Sequence, residues 1–395
     1  MKQLLPLLIV FVGINAKADN WVQKASFPGA GRTYPFCFSI GNKGYMGGGT
    51  GMAGTAPNDF WEYDPSINAW TQKAIFPPLV QHAESGFSIG SKGYVYNGYT
   101  FQQYDPVTNV WTVKASIPGA TLVRTTFGFA VGGKGYLGIG QIGSGLNQNL
   151  YQYDTATNAW TQKAIFPGSM RYYSHSFVIG NSGYLIGGWT NTTIYYDLWE
   201  YNTLSDSWTQ QANFPSSTMP DGAAFSICDK GYYGIGEDST GGYGADLWQY
   251  DPAPNVWNQK TSFPGSGRDE CTFFTIGDKA YVGLGGQDGN PLYYDFYEYT
   301  PDSPCATGIT EIVNTLSNLS ISPNPVHEQL TVCGLQLDKN IEIKIYNAEG
   351  KIVLSQQYHI TANHLTMPVA NLPSGIYFVT VGDGENREAK KVVVE

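Results

Sequence analysis

The octapeptide Trp70-Thr71-Gln72-Lys73-Ala74-Ile75-Phe76-Pro77 returns letter for letter at Trp160 to Pro167. Looser copies begin at Trp21, Trp111, Trp208 and Trp257, and the successive Trp spacings are 49, 41, 49, 48 and 49 residues. A fixed period of this size marks a chain built by copying one supersecondary unit, whose apolar face only a neighbouring copy can cover. The copied region runs from Asp19 to about Cys305.

Each unit carries four apolar pieces. In the first, Phe36 to Ile40 reads as a strand and Gly41-Asn42-Lys43-Gly44 as a tight turn. Tyr45 to Gly49 reads as a second strand ending in a double glycine, Phe60-Trp61-Glu62-Tyr63 as a third, and Asp64-Pro65 as a turn into a fourth at Trp70. Aromatic residues at 14 % and 48 glycines fit many short strands joined by tight turns, and they exclude a disordered chain. A formal net charge of -10 argues against a general affinity for nucleic acid or an anionic membrane. The five cysteines, Cys37, Cys228, Cys271, Cys305 and Cys333, form no CxxC pair, so a zinc site is not expected, and no disulfide pairing can be read from their spacing.

Four short antiparallel strands per unit match a β-propeller blade. The double glycine, the aromatic pair ending in Tyr-Asp and the Trp a few residues later resemble the kelch family. The double glycine stands at Gly48-Gly49, Gly187-Gly188 and Gly285-Gly286 and is eroded to Asn97-Gly98, Gly138-Ile139-Gly140 and Gly234-Ile235-Gly236. Strand counting gives an all-β fold with a six-bladed propeller over residues 19–305. Trp21 to Ala25 has no preceding strands of its own, and the last three-strand set, near Arg268 to Thr300, has no following Trp. The N-terminal strand is therefore expected to close the sixth blade and remove the open edges. Lys24, Lys73, Lys114, Lys163 and Lys260, with Gln211 in the remaining copy, read as edge-strand charges that discourage intermolecular pairing.

Both chain ends carry export signals. Residues 1–18 read as a signal peptide: Lys2, an apolar run from Leu4 to Val12 too short to span a bilayer, and Ala16-Lys17-Ala18 as a cleavage site. No other run is long enough for a transmembrane helix. Residues 306–318 read as a linker, and residues 319–395 as a small C-terminal Ig-like β-sandwich with alternating strands. The order of Pro323-Asn324-Pro325, Tyr346-Asn347-x-x-Gly350-Lys351 and Leu372-Pro373-x-Gly375-x-Tyr377 resembles the C-terminal sorting domain of the type IX (Por) secretion system of Bacteroidota. That resemblance implies a tail that engages the type IX machinery and a protein that is secreted or attached to the outer-membrane surface after crossing the periplasm.

Function is expected in the loops at one face of the ring. Aligning the units on Gly44, Gly93, Gly135, Gly183, Gly231 and Ala280 places Arg32, Gln81, Val123, Arg171, Met219 and Arg268 in one upstream register, with Arg124 a residue later in the third unit. Arginine offers bidentate recognition of carboxylate or sulfate, so Arg32, Arg124, Arg171 and Arg268 suggest a site for an anionic glycan or peptide. Each can equally tie adjacent blades together through backbone carbonyls. Tyr172, His175, Trp189, Glu84, Asp221, Asp269 and Glu270 belong to the same mouth. Trp189 suits stacking on a sugar or packing under its own loop. Asp221 and Glu270 share a register in neighbouring blades and are candidate acid–base groups, or partners of the arginines. Asp59, Asp197, Asp246 and Asp295, each before a third strand, read as turn or cap residues.

No cofactor site can be assembled. The copper centre of some kelch-type propellers needs two His and two Tyr, and His82 and His175 lie in different registers. No Ser-His-Asp constellation can be placed. The first expectation is therefore a secreted binding protein for a glycan or protein. The alternative is a carbohydrate-active enzyme (a sugar-acid epimerase or mutarotase, or a lyase) by fold-level analogy with six-bladed kelch propellers acting on sialic acid.

Overall fold

The computed structural model describes residues 19–77, 85–118, 123–124, 127–142, 145–190, 192–216, 222–237, 241–287, 291–302, 305, 320–335, 340–348, 351–382 and 387–395. The expected signal peptide and linker lie outside them. The chain divides into two compact units, one ending at Cys305 and the other starting at Ala306.

In the first unit the described strands form six antiparallel blade sheets, the third with Val123–Arg124 as a fifth strand, and a separate two-stranded sheet of Arg32–Thr33 and Thr50–Gly51. Blade 1 runs outward as Phe36–Ile40, Lys43–Gly47, Phe60–Asp64 and Ala69–Gln72. Blade 2 is Ser85–Ile89, Lys92–Tyr96, Phe101–Asp105 and Val110–Lys114. Blade 3 is Phe127–Val131, Lys134–Ile142, Gly145–Asp154 and Ala159–Gln162. Blade 4 is His175–Ile179, Ser182–Ile186, Leu198–Asn202 and Ser207–Gln211. Blade 5 is Ala223–Ile227, Lys230–Gly234, Leu247–Asp251 and Val256–Lys260. Blade 6 takes Thr272–Ile276, Lys279–Gly283 and Phe296–Thr300 from one end of the unit and Asn20–Gln23 from the other. There Trp21 stands opposite Tyr299 in an antiparallel ladder. Each first strand packs against those of two neighbours, and the sixth returns to the first.

Blades are joined by a repeated hydrogen-bonded bracket. Each repeat Trp donates its indole N–H to a carbonyl of the preceding blade: Trp70 to Ala25, Trp111 to Ala74, Trp160 to Ala115, Trp208 to Ala164, Trp257 to Ala212 and Trp21 to Thr261, at 2.7–3.2 Å. The residue two before the Trp accepts the N–H of that same peptide-bearing residue. Asn68, Asn109, Asn158, Asp206, Asn255 and Asp19 fill this role at 2.7–3.1 Å. A third-strand tyrosine then bonds the same Asn or Asp, as Tyr63 does to Asn68 at 2.8 Å and Tyr299 to Asp19 at 3.0 Å. Phenylalanines fill the space between blades. A Cβ on Gly44 would lie 2.0 Å from the Phe274 ring of the previous blade, which fixes glycine at the end of that turn.

Three readings from sequence change here. The outermost-strand lysines are not free edge charges. Lys24, Lys73, Lys163 and Lys260 fold onto Glu298, Glu62, Asp206 and Asp302 with only 11–20 % of their side chains exposed. Gln211 keeps the contact as a neutral donor to Glu200 at 2.8 Å. The glycine pair of blade 6 is shifted by one: Leu284 and Gly285, at φ 55° and 80°, stand where Gly48-Gly49 and Gly187-Gly188 stand. Finally, Cys228 and Cys305 are disulfide-bonded. Cys228 sits at φ 60°, where the first turns of the other five blades carry glycine.

The second unit has a three-stranded sheet (Ser320–Ser322, Gln329–Cys333, His364–Pro368) and a four-stranded one (Ile352–His359, Asn340–Tyr346, Gly375–Gly382, Arg387–Val394). Leu330, Val332, Ile341, Ile343, Ile345, Val379 and Val381 fill one shared core. The motif residues have local work. The Asn324 amide grips the last strand, donating to the Lys391 carbonyl and accepting from the Val393 N–H. Asn347 accepts from the Lys351 N–H, and Tyr377 donates to the Pro373 carbonyl.

Removal of residues 19–25 is expected to expose the Phe296–Thr300 edge and lower the melting temperature of the whole propeller. A truncated ring that melts like the intact one refutes closure by this strand. Burial raises the pKa of Asp19, but bonds from Thr261 and Tyr299 outweigh it and hold the group below its ordinary 3.8. A depressed folded pKa stabilises the fold above the unfolded value, and that stabilisation is lost as the pH falls through the folded one. Below about pH 3.8 the wild type should therefore lose stability more steeply than Asp19→Asn, measured by thermal melts across pH.

Breaking the Cys228–Cys305 link by a double Ser substitution should cost about 2–5 kcal/mol in denaturant unfolding. An unchanged midpoint would show that the clasp adds nothing.

Candidate functional site

A cavity of about 390 Å³ lies among the first strands of the blades, within the size range of small-ligand sites. Its described lining includes Tyr34, Tyr173, Ser174, His175, Ser176, Glu270, Cys37, Cys271 and Phe273. Side-chain donors on the inner strands tie neighbouring blades around it. Ser176 bonds the Gly128 carbonyl at 2.6 Å, Thr275 the Ser226 carbonyl at 2.9 Å, and the Cys37 thiol the Phe273 carbonyl at 2.7 Å. Burial pushes the Cys37 and Cys271 thiols up to about 11 and about 12, which removes them as nucleophiles at neutral pH.

Three of the four arginines expected to bind an anionic ligand, Arg32, Arg171 and Arg268, do not face it. Arg32, Arg171 and Arg268 are 0 %, 1 % and 0 % exposed. Arg32 forks onto Asp59 at 2.6 and 2.9 Å, while Nη1 also donates to the Gly48 carbonyl at 3.1 Å and Nε to the Ala30 carbonyl at 3.0 Å. Arg171 repeats the set with Asp197, Gly187 and Ser169. Arg268 does so with Asp295, Leu284 and Ser266. Aromatic rings cover the guanidinium groups, with Tyr195 3.9 Å from Arg171 and Tyr293 4.0 Å from Arg268. The ties run within a blade, not between blades.

Asp59, Asp197 and Asp295 are therefore arginine partners and not simple turn residues. Burial raises the pKa of Asp59, but Arg32 and Trp61 more than offset it and hold the group below the ordinary carboxylate value. Asp246 has Met219 in the arginine register of its unit and accepts the Trp248 indole N–H at 2.8 Å. Each arginine occurs with a close approach behind the second strand. A Cβ on Gly49 would lie 2.5 Å from the Thr33 carbonyl oxygen, and one on Gly188 2.4 Å from Ser174 Oγ, both at positive φ.

Two residues beyond each of these arginines the backbone turns left-handed, at Tyr34 (φ 54°), Tyr173 (φ 59°) and Glu270 (φ 54°). All three line the cavity. Tyr34 and Tyr173, from blades 1 and 4, approach across the ring with centroids 5.7 Å apart. Trp189 stacks on Tyr173 at 5.5 Å, and Tyr172 meets Trp189 edge-on at 5.0 Å. The buried Trp189 Nε1 has no hydrogen-bond partner among the described residues. His175 heads the inner strand of blade 4, 6.2 Å from the rings of both Tyr233 and Phe273. Asp269 is buried beneath the mouth, and its backbone pairs with Gly286. Of the expected residues, His175 and Glu270 line the cavity, Tyr172 and Trp189 pack against Tyr173 beside it, and Arg32, Arg171 and Arg268 do not join them. Asp221, Glu84, His82 and the Arg124 side chain lie outside the described residues. Tyr34 and Tyr173 were missed from sequence, although they share the register of Asp221 and Glu270. Among the described residues no His/Cys/Asp/Glu group is arranged to hold a metal.

Residues 170–215 match the Kelch motif family profile, a span that takes in all four strands of blade 4. Residues 320–395 match the secretion system C-terminal sorting domain. A propeller carrying a kelch-motif match is thus joined to a tail that matches a secretion sorting domain. A solved structure titled "Structure of YjhT" aligns with a TM-score of 0.60 at 16 % identity, covering 69 % of this chain and 95 % of that one. No curated protein matches the sequence. The sorting tail marks the kelch protein for type IX export to the cell surface or beyond, and no described helix is long and apolar enough to cross a membrane.

Substituting Arg171 by Met should leave Asp197 without its fork and cost about 3–5 kcal/mol in chemical unfolding. A change below 1 kcal/mol would mean that the pair does not hold the loop.

Proposed function

We propose that the exported protein binds a glycan at the aromatic mouth of its central cavity. The observation that carries this is the Tyr34–Tyr173–Trp189 series of rings, of which Tyr34 and Tyr173 line a cavity of about 390 Å³. Flat apolar ring faces suit the C–H faces of a pyranose, and the serines and His175 supply donors and acceptors for its hydroxyls. The buried arginines take no part in recognition. They are positioning residues that hold the loops carrying Tyr34, Tyr173 and Glu270.

A second reading is favoured by one observation: Glu270 and His175 line the same cavity and could move a proton at a hemiacetal centre. Turnover of reducing sugars that disappears in both Glu270→Gln and His175→Gln would favour this enzyme over a binding module.

A glycan array on the mature protein should give hits that Tyr173→Ala and Trp189→Ala each weaken about tenfold or more. Folded Arg32→Met, which touches only the support, should keep the same glycan preference with a smaller loss. Absence of any glycan hit, with a protein ligand recovered instead, would overturn the proposal. Deleting residues 320–395 should leave a folded propeller inside the cell, read by fractionation and thermal melting.

A further inference from the structure

We infer that the cavity takes a glycan end-on, enclosing its terminal residue below the aromatic mouth, where a set of hydroxyls at the far end of the cavity holds it. This rests on the glycan-binding reading and names the part of the glycan that is bound.

The walls carry the first step. The described lining comes from all six blades: residues 34–39, 85–88, 128–130, 173–178 and 224–226, with 270, 271 and 273–275. These stretches lie on or just before the first strands, which pack one against the next until the sixth returns to the first. A cavity walled by all six strands admits a chain along the ring axis, so a glycan enters by one of its ends. An internal stretch would have to be threaded through the ring. At about 3.3 Å per strand residue the wall from His175 to Val178 is about 10 Å long, so the cavity continues well below Tyr173.

The side chains carry the second step. Along a strand they alternate between the blade core and the ring axis. The last axis-facing position of each first strand, five residues before Gly44 and its counterparts, holds Ser39, Ser88, Ala130, Val178, Ser226 and Thr275. All six are half-buried and line the cavity. Four of them carry hydroxyls, and Thr275 donates its own to the Ser226 carbonyl at 2.9 Å. The position two residues earlier holds Cys37, Gly86, Gly128, Ser176 and Ala224, small residues that keep space at the axis, with Phe273 as the exception. The cavity thus has tyrosine rings at one end and hydroxyls at the other. A pyranose presents hydroxyls at its rim and C–H groups on its faces. Its terminal residue can bond Ser39, Ser88 and Ser226 while the next residue lies against Tyr34 and Tyr173.

The test uses the full mature chain and a glycan array that prints each sugar twice, once as the chain end and once capped by a further residue that gives no hit of its own. The same oligomers are offered free in solution, with and without a capped reducing end, so that both ends are sampled. Binding should fall about tenfold or more when the recognised end is capped. Ser39→Ala with Ser88→Ala removes two hydroxyls without adding volume and should weaken the hits about tenfold. Ser88→Phe fills the far end and should abolish them, with thermal melts checking that the ring is intact. Where Ser88→Phe fails to fold, the capping series and the double alanine variant decide. Capped glycans that bind as tightly as uncapped ones, or an unchanged affinity in either folded variant, would overturn end-on binding while leaving a glycan site at the mouth. Absence of every glycan hit would remove the glycan reading itself, and this inference with it.

Discussion

One bracketed residue between successive blades holds the ring. Its carbonyl accepts an indole N–H and its N–H donates to an Asn or Asp, both from the next blade's outer hairpin. Pairing both backbone groups matters because a partly buried N–H or C=O left alone costs more than a net hydrogen bond contributes. The Asn must sit at the left-handed corner of the hairpin to reach, and Asn68, Asn109, Asn158 and Asn255 do so at φ 50–56°. Asn and Asp tolerate this conformation better than most residues. The tyrosine hydroxyl fixes the same side chain from inside the blade, so strand, turn and neighbour are locked by one group. At the seam the bracket is made by Asp19 and Trp21 onto Thr261. A carboxylate there gains an additional bond from the Thr261 hydroxyl at 2.7 Å. That makes the joint between the two ends of the propeller the one most sensitive to protonation of its residue, with Asp206 the other acidic member of the set.

The three arginine blades add a second constraint, local to the loops at the cavity mouth. A forked Arg–Asp pair placed out of water gains little net stability against an apolar replacement, but it demands a specific geometry. Here the geometry includes the carbonyl at the first left-handed residue after the second strand, and this sets the loop beyond the arginine. Tyr34, Tyr173 and Glu270 can then be held at positive φ, a cost of about 1–3 kcal/mol for a non-glycine residue that the surrounding bonds must offset. Blades 1, 4 and 6 carry the device, so the ring is regular in its scaffold and unequal at its mouth.

Much of the scaffold was legible because it repeats. The Trp period gave the strands, the register of the turns and the chain-end seam, each of which rests on six copies of one physical demand. The bracketing Asn or Asp was equally periodic, yet its role depends on a left-handed corner that composition does not announce. The site was less legible because its residues break the repeat. Arg32, Arg171 and Arg268 looked like free cations because each partner lies 26 or 27 residues downstream across the loops. Asp246, an aspartate without an arginine in its unit, disguised that pairing as a generic turn signal. The Cys228–Cys305 link could not be inferred from spacing, although a Cys in a turn position otherwise held by glycine was a hint.

The arginine and tyrosine registers therefore form a single device. An arginine that faced the mouth could bind a ligand but could not also anchor its loop through the aspartate, since the planar fork that recognises one carboxylate is then occupied. Burying it converts a candidate ligand group into a support. The residue two places along then lines the cavity, tyrosine in blades 1 and 4 and glutamate in blade 6. A change at that register alters the cavity lining, whereas a change at the arginine removes the fork that holds the loop. This separation explains how one propeller framework can hold its blades to a nearly fixed sequence and still vary the side chains that line its cavity.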